Sequence, residues 1–425
     1  MTKNKKIRVL VIPSDRTGVS YFRSTNPHIA LEENYPDEFS IDIDYEPQLE
    51  DDNWLKQYDI VHYHRSLGAY EDTERFVNKL NDLGIVSIMD IDDYWAPGPH
   101  HPAFVIIKSY EMDKKILANI KSAKNVTTTT NVFADEISKY NKSVFVLPNA
   151  VDPTEKQFRP NLEPSDRIRI GWLGGSSHLK DLEILNGVVG KLRVDGLIDK
   201  VQFVLCGFDI RGTFTQIDSE TKEQKTRNIT PKESVWFKYE QIFTDNYKTI
   251  SPEYKEHLMK FTQEEYHNVK NESYRRVWTK PISTYATNYN MFDISLAPIE
   301  ENIFNKVKSQ LKVIEGGFHH KAVIAQNFGP YKIDLKNAIQ FGGGFDSTAN
   351  AILVDTLKNE KDWYSAIKKL ILNPDMVKTL QDNLYETVKD TYSMNKVTEQ
   401  RRELYLNLVG KPNETSLIAN AQLHT

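Results

Sequence analysis

Short runs of β-branched and aliphatic residues alternate along this chain with stretches whose apolar positions recur every three or four residues. That is the pattern of parallel strands joined by crossover helices. In the first part of the chain the runs are IRVLVIP (7–13), FSIDIDY (39–45), YDIVHYH (58–64), VSIMDID (86–92), NVTTTT (125–130) and SVFVLP (143–148), with amphipathic segments such as TERFVNKLNDLG (73–84) between them. Six strands predict a full Rossmann-like sheet. The stretch 148–166, PNAVDPTEKQFRPNLEPSD, carries Pro, Asn and charge without periodicity and reads as an interdomain linker. The alternation then restarts with RIRIGWLGG (167–175), VQFVLCG (201–207), FDISLAP (292–298), AVIAQN (322–327) and AIQFGG (338–343), so a second sheet is expected.

These patterns divide the chain into an N-terminal Rossmann-like domain over 1–160, a C-terminal one over 161–395, and a helix and tail over 396–425 able to pack back on the first domain. Within the second domain, 211–280 holds Trp236, Tyr239, Tyr247, Tyr254, Tyr266 and Tyr274 among many charges and reads as an ordered helical insertion. Helix-period apolar residues run from about 361 to 409, and the last residues, NETSLIANAQLHT, read as frayed.

A chain of 425 residues exceeds what one ordinary core organises, in keeping with two α/β domains. The formal charge of -5 gives no electrostatic reason to expect a phosphate-backbone partner. The single cysteine, Cys206, has no partner for an intramolecular disulfide and sits in an apolar run as a buried thiol, which fits a reducing compartment. The apolar run at 7–12 is interrupted by Arg8 and ends at Pro13, too short for a signal segment, and no run approaches the roughly 20 apolar residues of a spanning helix. A cytoplasmic protein is expected, any membrane association being peripheral.

The most informative stretch runs from 292 to 331 and reads as strand, loop, helix, strand, loop. Asn305, Lys308 and Ser309 fall where loop enters helix, a place whose free N–H groups and dipole favour an anion such as a diphosphate. Glu315 follows Lys308 by seven residues, about two turns, with Gly316 and Gly317 permitting close backbone approach, and its carboxylate can accept two ribose hydroxyls. A solvated helix face is the plainer account of one Lys and one Glu. In the turn at 173–181, Gly174, Gly175 and Ser176 can present N–H groups to phosphates, or form an ordinary strand-to-helix turn capped by Ser177, while His178 can face an acceptor. In the loop after the first strand, Gly18 lets the chain pass close to a ligand, and Arg16, Tyr21 and Arg23 are acceptor or phosphate candidates, with a surface helix charge the alternative for Arg23. His62 and His64 alternate on one strand end and face one side, which core packing explains as readily for one of them. Asp90, Asp92 and Asp93 stand at the carboxyl end of a strand, where open α/β sheets bind ligands; three carboxylates hint at a metal, but no further ligands converge on them, and no metal is expected.

Phe304, Asn305, Lys308, Ser309, Lys312 and Glu315 spell FNxxKSxxKxxE, and this stretch resembles the donor site of the GT-B glycosyltransferases, in particular the large family-4 group of retaining enzymes. VLPNAVD near Leu147 is similar to the motif closing the N-terminal domain in that group, and IGWLGGSSHLKDL resembles the opening of its C-terminal domain. The resemblance implies two Rossmann-like domains facing across a cleft, with an acceptor-side N-terminal domain and a nucleotide-sugar donor bound mainly by the C-terminal one. It implies that Lys180 contacts phosphate, that Lys308 stabilises the leaving diphosphate, and that configuration is retained without a metal or any cofactor beyond the nucleotide sugar as co-substrate. Two departures stand out: Val307 occupies the place of the first of two glutamates in that group, and Asp90 to Asp93 occupy a strand end that there carries a histidine. Asp92 and Asp93 would then orient an acceptor hydroxyl or stabilise charge developing on the sugar. The expected reaction is hexosyl transfer to a glycan, lipid-linked or other hydroxyl acceptor, as in polysaccharide biosynthesis. Two other functions fit the same fold, and a nucleotide-sugar epimerase of related fold ranks below both because the FNxxKS arrangement resembles the transferases instead. One is a phage-type enzyme glycosylating modified DNA bases, disfavoured because 211–280 mixes its Lys with many Glu and Asp. The other is a non-catalytic nucleotide-sugar binding protein, motivated by Val307 and the missing histidine.

Overall fold

The computed structural model describes residues 5–209, 212–218, 220–221, 223–230, 233–245, 272–340, 342–355 and 360–410. Its frame is two six-stranded sheets in which every neighbouring pair is parallel. In the first, β1 (Ile7–Ile12), β2 (Phe39–Ile43), β3 (Ile60–His64), β4 (Val86–Asp90), β5 (Asn125–Thr128) and β6 (Val144–Val146) lie in the order β2-β1-β3-β4-β5-β6. The six runs of β-branched residues are these six strands. The central strands are covered on both faces, which is why β1 reads as a near-continuous apolar run and why every residue of β3 is buried, His62 and His64 included. Helix Thr73–Asp82 covers one face with Phe76, Val77 and Leu80, and its chain turns away at Gly84, which adopts a φ of 73°.

The second sheet contains β7 (Ile168–Leu173), β8 (Val201–Phe208), β11 (Tyr274–Trp278), β12 (Ile294–Ala297), β13 (Ala322–Gln326) and β14 (Ala351–Val354) in the order β11-β8-β7-β12-β13-β14. Four of its strands coincide with expected runs. The fifth does not: among the described residues AIQFGG makes one isolated bridge, at Ile339, with another at Asn337 just before it, because Gly342 and Gly343 take positive φ and turn the chain, and the adjoining AILV run at 351–354 is the edge strand instead. The other edge, β11, was hidden by charge. Its Arg275 and Arg276 are buried and paired with Glu163 and Glu240.

Among the described residues, the segment expected as a helical insertion supplies helix Val235–Thr244, together with an antiparallel hairpin of β9 (Thr213–Ile217) and β10 (Gln224–Asn228) and the edge strand β11. Trp236, Tyr239 and Tyr274 are buried against the second sheet, whereas Tyr247, Tyr254 and Tyr266 lie outside the described residues, as does the frayed tail from 411 onward.

The chain crosses between the two halves twice, and the crossings run side by side. Val151 donates to the Tyr392 carbonyl at 2.9 Å and accepts from the Met394 N–H at 2.8 Å. After the second crossing, helix Met394–Leu408 lies on helix Asn26–Asn34 of the first half, where Tyr405 Oη meets His28 Nε2 at 2.7 Å and Arg402 pairs with Glu38 at 2.8 Å. No described helix is long and apolar enough to cross a membrane.

Candidate functional site

In each sheet the strand order reverses once, between β1 and β3 and between β7 and β12. Open parallel sheets bind ligands at the carboxyl ends of the strands beside such a reversal. The segments leaving those ends line a cleft of about 1030 Å³ between the two halves, large enough for a nucleotide sugar.

From the first half, Arg16, Gly18, Arg23, Asp92 and Asp93 border this cleft. Arg23 is buried and spends its guanidinium internally, donating to both oxygens of Asp90 at 2.7 and 2.9 Å, to the Leu147 carbonyl at 2.7 Å and to Asn149 Oδ1 at 3.1 Å. It therefore welds β4 to the first crossover; neither of the two sequence readings, ligand contact or surface charge, anticipated this. Burial opposes the charge on Asp90, but Arg23 outweighs it and holds the carboxylate below its ordinary pKa. Asp92 accepts from His64 Nε2 and from Arg65, both at 2.9 Å, while His64 Nδ1 lies 2.9 Å from Ser14 Oγ. Burial again opposes ionisation, and Arg65 and His64 keep Asp92 well below the usual carboxylate range. Asp93 goes the other way. Burial and then the charge of Asp92 raise its pKa, against Lys308 and Arg65, so of the adjacent pair it is the one readier to carry a proton. Arg16 sits 4.0 Å from the Tyr45 ring centroid. Tyr21 turns away from the cleft and is engaged with Glu155 and Gln157, and His64 reaches the cleft only through Asp92.

From the second half come Gly174, Gly175, His178, Lys308, Ser309 and Glu315. The turn after β7 is tight. Gly207, at the end of β8 with φ 93°, faces it, and a Cβ there would overlap the Gly174 carbonyl, while one on Gly174 would strike the Trp172 ring. Ser177 rather than Ser176 borders the cleft. His178 Nδ1 lies 2.7 Å from Asp181, so the proton sits on Nδ1 and Nε2 is left as an acceptor; burial and then Lys308 push its pKa down to about 4. Asp181 is further held by the Glu300 N–H at 2.7 Å and by Asn305 Nδ2 at 3.1 Å, which makes Asn305 a support of this turn. Lys180 points aside into an ion pair with Glu183 at 2.7 Å, bordering a smaller pocket shared with Asn305.

Lys308 is half-buried, 4.9 Å from the Phe304 ring centroid, and forms no ion pair with a carboxylate among the described residues. Ser309 Oγ accepts from Asn149 at 3.0 Å, linking the donor-side loop to the crossover that Arg23 also grips. On the following helix, Leu311–Phe318, Glu315 is buried and accepts from the hydroxyls of Tyr285 and of Tyr289, the latter at 2.9 Å. Burial raises Glu315 to about 7 against those hydrogen bonds, and lowers Lys312, one turn earlier and bonded to the Leu173 carbonyl, to about 8. Val307 is buried among apolar side chains of the first half, including Ile91 and Trp95. A glutamate there would leave a carboxylate in an apolar setting, which accounts for its absence. Asn149, Tyr285, Tyr289 and Asn288 were not singled out in the sequence. Among the described residues no group of three His, Cys, Asp or Glu is arranged to hold a metal ion.

This architecture is the GT-B fold, two Rossmann-like domains facing across a cleft. Among solved structures the chain is similar to a glycosyltransferase from Rickettsia africae, at 15% identity and TM-score 0.57 over 96% of this chain and 99% of that one. It is also similar to sucrose-phosphate synthase from Thermosynechococcus elongatus, at 14% identity and TM-score 0.57 over 95% and 99%. A third is HepE from Anabaena in complex with UDP-glucose, at 11% identity and TM-score 0.57 over 95% and 99%. No protein-family model and no curated protein matches the sequence.

Proposed function

We propose that this protein is a glycosyltransferase that moves a hexosyl group from a nucleotide-sugar donor, held mainly by the C-terminal half, to a hydroxyl acceptor entering from the N-terminal half. The observation that carries the reading is Lys308: a cation that forms no ion pair with a carboxylate among the described residues, in a cleft that also contains the Gly174–Gly175 turn, whose Gly174 N–H donates to the Cys206 carbonyl at 3.5 Å, and the Glu315 carboxylate. A dianionic leaving group supplies the charge that Lys308 lacks, and backbone N–H groups fixed beforehand stabilise it as the glycosidic bond breaks. Such donors in electrostatically focused sites contribute several kcal/mol to a transition state.

On the acceptor side, Asp93 is suited to receive the proton of the attacking hydroxyl, because Asp92 is already engaged by His64 and Arg65. Asp90 at the end of β4 and Asp92 just beyond it are each matched by a protein cation, Arg23 and Arg65, which favours a metal-independent reaction. Retention of configuration follows the family-4 resemblance and the FNxxKSxxKxxE stretch. A glycan or lipid-linked alcohol suits the acceptor side better than duplex DNA, given the net charge of -5. UDP is the first nucleotide to test, since the similar HepE structure holds UDP-glucose.

Donor hydrolysis and nucleotide binding by wild-type protein and Lys308→Ala provide the test. Hydrolysis of one nucleotide sugar, reduced at least tenfold by the substitution, is the expected result. Nucleotide binding without any turnover would instead support the non-catalytic reading.

A further inference from the structure

Asn288 is a cleft side chain whose chemistry the donor-site reading leaves unused. It lies in the 3₁₀ segment Tyr285–Met291, is 0% exposed and borders the cleft. Neither its amide nitrogen nor its amide oxygen has a hydrogen-bond partner among the described residues. A buried primary amide left open at both ends is a costly arrangement that folded proteins retain where a ligand completes it.

The segment is also held rigidly. In a 3₁₀ turn residues three apart eclipse, so Tyr285 and Asn288 share a face, and Tyr285 is fixed to Glu315. Tyr289 is fixed to the other Glu315 oxygen and stacks on His319 at 5.1 Å, while Lys280 Nζ holds Thr287 at 3.0 Å. The segment that carries the amide is thus anchored to Glu315 by a tyrosine on either side of it. Pro281, Ile282 and Tyr285 of the same stretch border the cleft and provide flat apolar surface for a ring.

We propose that Asn288 is a specificity-determining contact for the nucleoside half of the donor, its carbonyl accepting from and its NH₂ donating to adjacent polar atoms on the edge of the heterocycle. This rests on the glycosyl-transfer reading above. An amide free at both ends matches a planar edge with a donor beside an acceptor, the pattern that differs from base to base, whereas ribose hydroxyls are common to all nucleotides.

The experiment is calorimetric titration of UDP, CDP, ADP, GDP and inorganic pyrophosphate into wild-type protein, Asn288→Ala, Asn288→Asp and Asn288→Leu, with melting temperatures of the free proteins. Wild type is expected to prefer one base at least tenfold. The Ala and Leu variants lose that preference while pyrophosphate binding stays within about twofold, and Asp, which exchanges a donor for an acceptor, changes the order of preference. The Leu variant melts no lower than wild type, since an open amide has been replaced by an apolar isostere. An unchanged preference, or a loss in step for every nucleotide and pyrophosphate with lowered melting temperatures, overturns the assignment and leaves the glycosyltransferase reading standing. A wild-type protein that binds no nucleotide removes both.

Discussion

At the scale of single residues, the cleft separates side chains bound to the protein from side chains available to a ligand. Arg23 and Asp90 belong to the first kind: both are buried, and removing one partner strands the other. Breaking such a pair costs about 3–5 kcal/mol, so Asp90→Asn should lower the unfolding free energy by about that amount in denaturant titration. Lys180→Ala, which opens only the exposed pair with Glu183, should stay within about 0.5 kcal/mol of wild type. Equal effects of the two would refute the ranking. Glu315 adds a pH signature. Its folded pKa of about 7 lies above the ordinary value of 4.5, so its contribution to stability is complete below 4.5 and is lost as pH rises through 7. Glu315→Gln, which stays neutral, should therefore gain on wild type between pH 4.5 and 7 by at most about 3 kcal/mol and then level off. A stability difference flat across that range would count against a buried, proton-binding Glu315.

At the scale of elements, periodicity made visible those strands built from runs of β-branched and aliphatic residues. All six strands of the first sheet and four of the second were legible in this way. The two edges were not. β11 reads YRRVW because Glu163 and Glu240, distant in sequence, neutralise its arginines, and β14 is four residues long beside a Gly-rich run that resembles a strand equally well. The candidate site shows the same division. Lys308, Gly174, Gly175 and Glu315, all of which border the cleft, were singled out from local spacing and a family likeness. The engagement of Arg23 with Asp90, of Tyr285 and Tyr289 with Glu315, and of Asn149 with Ser309 depends on segments brought together only by the fold. Gly207 ties element to site: its positive φ and the carbonyl of Gly174 against it leave no room for a side chain. Gly207→Ala should cost about 1–3 kcal/mol from backbone strain alone and should also weaken nucleotide binding by displacing the Gly174 turn. Wild-type stability in that variant would mean that the turn is compliant, and the claim of fixed N–H groups would fail with it.

Across the whole molecule, the helix Met394–Leu408 leaves the second half and closes over the first, and the joint it makes is polar at its centre. The His28 and His62 rings lie 4.5 Å apart, tilted by 59°, His28 shares a hydrogen bond with Tyr405, Arg23 and Arg401 act on both rings, and His62 also faces His64 and the carboxylate of Asp90. Burial, more than the neighbouring arginines, drives both pKa values below 6.5, to about 3 for His62. A depressed folded pKa gives stability that is present in full above 6.5 and drains away as pH falls towards 3, because the unfolded chain accepts protons that the joint refuses. The melting temperature should therefore fall steeply from pH 6.5 to pH 4, with amides of residues 394–408 losing exchange protection before those of β7 and β8. His62→Leu removes one of the refused protons together with two ring nitrogens that find no hydrogen-bond partner among the described residues. Its melting temperature should fall less over the same range, so that the variant overtakes wild type in acid. Should the two proteins lose stability in parallel, the acid sensitivity lies in the carboxylates of the cleft, and the histidine joint would be no more than packing.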